Sequence, residues 1–210
     1  MGLRLREVRG WMEADWSVEL GAEMAVIDGH WSGWIDLRRV PERVVEIEEA
    51  RQRPALGALL ARLNAVEPGY WTAKCDGWLV EGPVDPYEME CEAERCQAAL
   101  GCYVDVLPVA AWRGLDEAER WAKQVVAELR ARECRQSRVE VVVRQAVFAE
   151  EESVSGEILL GATVYLTGCG AEEREAERAL AAAMETLAAA LAGLGLAGLG
   201  LAGPGLAGLG

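Results

Sequence analysis

Cysteine is the residue of this chain best suited to bind a metal ion, because thiolates are strong ligands for zinc and other soft metals. The chain has six cysteines: Cys75, Cys91, Cys96, Cys102, Cys134 and Cys169. Cys91, Cys96 and Cys102 are separated by four and five residues, which is not the C-x-x-C spacing typical of zinc sites. On a helix, Cys91 and Cys96 would point about 140° apart. We therefore predict buried, reduced thiols, and we expect no metal or other cofactor.

His30 is the only histidine, so a Ser-His or Cys-His mechanism would have to use it. In Asp28-Gly29-His30 a carboxylate could orient the imidazole. Asp-Gly is also a strong signal for a hairpin turn, which explains both residues without catalysis. The 35 acidic residues offer many carboxylate pairs, and no pair is distinguished by its spacing. We predict no catalytic residue, and an enzyme using His30 or a carboxylate pair is kept as an alternative.

Residues 193–210 repeat the G-x-G-x-x-G pattern, which binds dinucleotides when a strand precedes it and a helix follows. Here a predicted helix precedes the glycines, and a five-residue repeat of Leu, Ala and Gly generates the pattern automatically. Residues 192–210 are therefore predicted to be a low-complexity tail without nucleotide chemistry. Its many glycines, and the lack of Trp, Tyr, Lys or Arg at either end, argue against a membrane span.

Half of the eight tryptophans lie near the N-terminus: Trp11, Trp16, Trp31 and Trp34. Indole rings provide large contact areas and are frequent at the centres of protein interfaces. These four residues are therefore the candidate interaction surface for another protein or a second copy of this chain. Large aromatic side chains more often pack a core, and a small Trp-rich N-terminal core is the alternative.

The net charge of −14 argues against nucleic acid and anionic membrane surfaces as partners, because both require clustered Lys and Arg. The same charge suits a basic partner protein. The N-terminal sequence MGLRLREVRGW has charges where a signal peptide needs an apolar run, so we predict a cytoplasmic location. An acidic inhibitor or immunity protein is a further alternative.

Strand alternation and helical periodicity predict the elements that must position these residues. The predicted strands are residues 71–80, 102–109, 138–149 and 157–168, and the predicted helices are residues 86–100, 115–132 and 171–191. Helix 86–100 is indicated by Asp85 as N-cap, Pro86 in the first turn and Gly101 after the end. A short polar linker predicts that the last two strands form an antiparallel hairpin.

These elements predict an α+β fold of the ferredoxin-like sandwich type. Its roughly four-stranded, mainly antiparallel sheet is expected to be covered by helices on one face. Residues 1–66 are predicted to form a Trp-rich segment, with a hairpin at Asp28 and a helix at 54–66, packed on the core. The core domain is residues 67–191, and the tail is residues 192–210.

Together these features favour a non-enzymatic protein that acts by protein–protein interaction or as an assembly subunit, for example an accessory protein of a phage particle. Partner proteins or self-association are expected, and nucleic acid and membrane are not. A small-molecule-binding regulatory domain is an alternative, because a ligand could lie between the strands and helices of such a sandwich.

Overall fold

The structure is a computed structural model that describes residues 11–22, 24–29, 31–65, 69–82, 84–89, 91–112, 114–147 and 158–198. In these ranges the strands are β1 (Glu13–Glu19), β2 (Ile27–Asp28), β3 (Tyr70–Leu79), β4 (Ala98–Pro108), β5 (Ser137–Val147) and β6 (Ile158–Gly170). The α-helices are α1 (Glu48–Gln52), α2 (Pro54–Leu63), α3 (Leu115–Arg130) and α4 (Glu173–Gly198). Short 3₁₀ helices cover Pro41–Glu46 and Ala93–Arg95.

One mixed sheet contains the described strands, in the order β1-β5-β6-β4-β3, and β2 pairs with β5 just beyond β1. β1 and β2 run parallel to β5, whereas the β5–β6, β6–β4 and β4–β3 pairs are antiparallel. The α+β class and the antiparallel hairpin of β5 and β6 are thus confirmed. The sheet has six strands instead of the predicted four, and a ferredoxin-like arrangement is not confirmed.

The helices pack on one face of the sheet, which we call the helix face. Alternate residues of the central strands point into this layer, among them Val104, Val141 and Val164. Side chains of α2, α3 and α4 fill the other half of the same core, and Ala14 of β1 joins it. The N-terminal residues therefore share one hydrophobic core with the second half of the chain.

The predicted helix at 86–100 is wrong. Residues 86–89 form a turn, Ala93–Arg95 a single 3₁₀ turn, and β4 already begins at Ala98. The cap that suggested a helix makes a local turn instead, because the Tyr87 N–H donates to Asp85 Oδ1 at 2.9 Å. Residues 98–100 of the predicted helix instead belong to β4 and pair with β6. Long-range strand pairing therefore outweighs the local preference for a helix.

The predicted hairpin at Asp28 is also wrong. Ile27 and Asp28 pair in parallel with Ala146 and Val147 of β5, and the Gly29 N–H donates to the Val147 carbonyl at 2.9 Å. β1 pairs with β5 only as far as Arg144, so the last residues of β5 are open on that edge. β2 pairs there and not with a strand that directly follows it in the sequence. The helix predicted at 54–66 is present as α2.

Candidate functional site

Three cysteines that are distant in the sequence meet at one end of the sheet. Cys169 lies at the end of β6, and Cys91 and Cys96 lie on the irregular segment before β4. The three sulfur atoms lie within 4.8 Å of one another, and the Sγ atoms of Cys91 and Cys169 are 3.5 Å apart. Cys96 and Cys169 are buried, and Cys91 is half-buried. We call this group the thiol cluster; its ligand set could hold one soft metal ion.

The irregular segment is tied to the sheet on both sides of the thiol cluster. The Gln97 N–H donates to the Gly170 carbonyl at 2.9 Å, which continues the β4–β6 ladder by one bond. Glu88 forms an ion pair with Arg138 of β5. These contacts hold the segment against the end of the sheet, so the positions of its thiols are fixed by tertiary structure.

Burial controls the chemistry of the thiol cluster. It raises the pKa of Cys91 and of Cys169, and the neighbouring thiols raise the pKa of Cys169 further. Met89 belongs to the same apolar cluster, which adds a soft thioether to the surroundings. At neutral pH the two thiols are therefore uncharged and poor nucleophiles, and only a bound cation would displace their protons.

The prediction that Cys91 and Cys96 point apart depended on a helix over residues 86–100. Without that helix, Cys91 and Cys96 converge, and the pairing of Ala99 with Cys169 brings in the third thiol. Cys102 instead lies in the core on the helix face, where burial raises its pKa to about 12. No local spacing signals Cys169, because only the β4–β6 register places it beside the others.

The opposite face of the sheet, which we call the polar face, contains a buried polar pair. Asp105 of β4 is 4% exposed and Thr163 of β6 is 2% exposed, and the Thr163 hydroxyl donates to Asp105 Oδ1 at 2.7 Å. Burial raises the pKa of Asp105 to about 6, although the Thr163 hydrogen bond and the charges of Lys74 and Arg144 oppose the shift. Asp105 therefore titrates close to neutral pH.

Aromatic and charged side chains cross the polar face beside this pair. Arg144 donates to the Tyr165 hydroxyl at 2.8 Å and forms an ion pair with Glu19 of β1 at 2.7 Å. The rings of Tyr165 and Tyr103 lie 5.9 Å apart, and Trp78 follows at 6.3 Å from Tyr103. We call these side chains the aromatic row. It runs from Glu19 on β1 to Trp78 on β3 and so contacts all the long strands of the sheet.

A cavity of about 380 Å³ lies beside β3. Its lining combines aromatic rings with several carboxylates and one ammonium group, including Trp31, Trp34, Glu49, Lys74, Asp76 and Tyr103. This volume lies within the range of small-molecule sites. The Lys74 ammonium already lies 5.8 Å from the centroid of the Trp31 ring, so the aromatic wall contacts a cation.

Trp31 and Trp34 cover the outer edge of β3. The Trp31 indole N–H donates to the Ala73 carbonyl, and the Trp34 indole N–H donates to the Thr72 carbonyl, both at 3.1 Å. Asn64 Oδ1 accepts the Thr72 N–H at 3.1 Å. Side chains therefore occupy backbone groups that another strand would use.

Trp11 and Trp16 lie at the opposite edge of the sheet, so the four N-terminal tryptophans do not form one patch. Trp16 of β1 is half-buried against the helix layer, where the Lys123 ammonium lies 4.7 Å from its ring centroid. Trp11 lies just before β1, is exposed and forms an isolated bridge with Glu133.

Exposed apolar side chains lie before and after β1 in the chain. They are Trp11 (46% exposed), Leu20 (45%), Met24 (81%) and Val26 (47%). Leu20, Met24 and Val26 lie on or beside the loop between β1 and β2, and both strands pair with β5 along the same edge. We call β1 and these residues the β1 edge.

His30 and the repeat beyond Gly198 lie outside the described residues, so the structure places neither. Among the helices of the described ranges, none is both long and apolar enough to cross a bilayer. Comparison with family models, curated proteins and solved structures found no match to this chain.

Proposed function

We propose that this chain is a non-enzymatic protein-binding subunit whose β1 edge receives an extended segment of a basic partner protein. The observation that supports the proposal best is the group of exposed apolar side chains before and after β1. On the outer edge of β1 the Arg130 guanidinium donates to the Ala14 carbonyl and the Trp16 N–H donates to Asp15 Oδ1, so side chains bond part of this edge as they do on β3. An outer strand beside apolar surface is a typical site for strand addition, and the partner strand would replace these two side-chain contacts.

The charge of the β1 edge favours a basic partner over a second copy. β1 has the sequence EADWSVE, in which Glu13, Asp15 and Glu19 are acidic. In an antiparallel pairing of two copies centred on Trp16, Glu13 would lie opposite Glu19, and like charges at that spacing are destabilising. A partner strand with Lys or Arg would gain from Asp15 and would share Glu13 and Glu19 with Arg130 and Arg144. The net charge of −14 would speed the encounter.

Paired surface variants test this proposal. The double variant Leu20→Ser with Val26→Ser removes two exposed apolar side chains from the β1 edge, and Val45→Ser with Val109→Ser removes two exposed ones elsewhere. A partner isolated with the wild-type chain should bind the β1-edge variant about tenfold or more weakly, because the variant removes apolar surface that the partner would bury. It should bind the control variant with unchanged affinity, as measured by calorimetry with purified components.

Two results would contradict the proposal. Equal binding of both double variants would exclude the β1 edge as the contact surface. A stable dimer or ring in light scattering that the β1-edge variant abolishes would show that a second copy, and not a basic partner, occupies the edge. Affinity for a basic partner should also fall with added salt, because the attraction is electrostatic.

The cavity beside β3 supports a second candidate function, the binding of a small organic cation. Carboxylates and indole rings together are the groups that recognise quaternary ammonium ions. Choline should change the total tryptophan fluorescence, to which Trp31 contributes, and 3,3-dimethyl-1-butanol, which has the same shape without the charge, should not. An equal change with both compounds, or with neither, would remove this candidate.

A further inference from the structure

The thiol cluster is not used by the proposed interaction surface, which lies at the β1 edge. Free cysteines usually behave as small buried hydrophobic residues, and this explains Cys102 in the core. It does not explain why thiols from two separate parts of the chain point their sulfur atoms at one another at the end of the sheet.

We propose that Cys91, Cys96 and Cys169 together bind one thiophilic metal ion of the zinc and cuprous class. These ions favour thiolate ligands over oxygen ligands. The described ligand set is three sulfur atoms, so Zn²⁺ would complete its tetrahedron with water at the half-exposed Cys91 side, whereas Cu⁺ is suited to three sulfur ligands alone.

The distances between the sulfur atoms fit such an ion. With zinc–sulfur bonds of 2.3 Å, two ligands of a tetrahedral site lie about 3.8 Å apart. The observed separations, 3.5 Å for Cys91 and Cys169 and at most 4.8 Å within the group, bracket that value. Small rotations of the side chains would therefore be enough to place the three sulfur atoms around one ion.

The local structure gives such an ion a role in stability. Residues 84–97 contain, among their described positions, one turn and one short 3₁₀ helix, with no long helix or strand. An ion shared by Cys91, Cys96 and Cys169 would cross-link this segment to β6. On binding, each thiol releases its proton to solvent and no electron is transferred, so the step needs only the ion and a buffer.

Titration of the full-length, reduced chain with Co²⁺ tests the site, because cobalt–thiolate bonds give an intense charge-transfer absorption. We expect saturation at one Co²⁺ per chain and displacement by one Zn²⁺. A parallel anaerobic titration with Cu⁺ against a coloured chelator shows which of the two ions binds more tightly. Zn²⁺ should also raise the melting temperature of the wild-type chain.

Matched variants distinguish this site from adventitious binding. Cys91→Ser should weaken Zn²⁺ binding by at least about a hundredfold, since removal of outer-shell groups alone costs up to that much. Cys75→Ser is the control, because Cys75 is also half-buried but lies outside the thiol cluster. Circular dichroism of both variants checks that the fold is retained, and Cys169→Ala provides a second test from β6.

Three outcomes would overturn the proposal. They are the absence of both a cobalt–thiolate band and Cu⁺ binding in the reduced wild-type chain, binding that persists in both Cys91→Ser and Cys169→Ala, and binding that Cys75→Ser abolishes equally. Mass spectrometry after exposure to air would detect a disulfide between Cys91 and Cys169. If the reduced chain binds neither ion and the air-exposed chain contains this disulfide, the cluster is a redox pair and not a metal site.

Discussion

At the scale of single residues, Asp105 is a carboxylate whose environment differs strongly from its usual one. A carboxyl group buried on the polar face, with one hydroxyl donor from Thr163, pays a desolvation cost whenever it is ionised. The aromatic row and the Arg144–Glu19 ion pair lie beside it and do not neutralise it fully, since its pKa still rises to about 6.

The raised pKa of Asp105 predicts a specific pH dependence of stability. The folded pKa, about 6, exceeds the ordinary value of 3.8, so the folded state holds this proton more tightly than the unfolded state. The contribution of Asp105 therefore becomes more favourable as the pH falls through 6, by about 1 kcal/mol between pH 7.5 and pH 5.5. Urea denaturation of the wild-type chain and of Asp105→Asn should show that the variant lacks this component.

Asp15→Asn is the control for that experiment, because Asp15 is an exposed carboxylate of β1 on the same face. It should leave the difference in unfolding free energy between the two pH values unchanged. If Asp105→Asn changes this difference in unfolding free energy no more than Asp15→Asn does, Asp105 is not buried and its pairing with Thr163 does not exist as described.

At the scale of elements, direct contact between α4 and β6 shapes the helix layer. A Cβ atom at Gly168 of β6 would lie 2.2 Å from the backbone nitrogen of Leu180 and 2.7 Å from the Ala176 carbonyl oxygen. Backbone atoms of a helix cannot turn aside as a side chain can. Glycine at this position therefore allows α4 to lie on the sheet at its observed distance.

Two glycine substitutions should have opposite effects on stability. Gly168→Ala should lower the free energy of unfolding by about 1–3 kcal/mol, because α4 must move away from β6. Gly193→Ala, at an exposed helical position with no atom within 4 Å of the new Cβ, should raise it by up to about 1 kcal/mol. Thermal and chemical denaturation measure both changes, and a neutral Gly168→Ala would show that α4 does not pack on β6 this closely.

At the scale of the whole molecule, the N-terminal residues contribute to both edges of the sheet and to the helix layer. β1 forms one edge, Trp31 and Trp34 cover the other, and α2 packs in the core. Ile27 and Trp71 share one apolar cluster, so β2 and β3 approach each other although they lie far apart in the strand order. The sheet is thus curved around its polar face.

Deletion of residues 192–210 tests whether assembly depends on the C-terminal repeat. α4 continues to Gly198, beyond the end predicted at residue 191, and Leu194 packs against the core. The deletion should therefore cost about 1 kcal/mol of stability through the lost contact of Leu194. The particle mass from light scattering should be the same with and without these residues, and a lower mass after deletion would identify the repeat as an interface.

The sequence by itself determined the elements with strong periodicity. β5, β6, α3 and most of α4 follow from alternation or helical spacing, because each buries one face against the same core whatever its neighbours are. β1 carries the same alternation, with Ala14, Trp16 and Val18 between polar residues, so its sequence also indicates a strand.

Only the tertiary structure decided which residues became neighbours. Asp85 and Pro86 are compatible with a helix or with a turn, and the β4–β6 register selected the turn and brought Cys91 and Cys96 to Cys169. The burial of Asp105 and the covering of β3 by Trp31 and Trp34 likewise depend on contacts between distant segments. Local sequence sets the free energy of a turn or a helix within about a kcal/mol per residue, and long-range pairing and burial are large enough to reverse that preference.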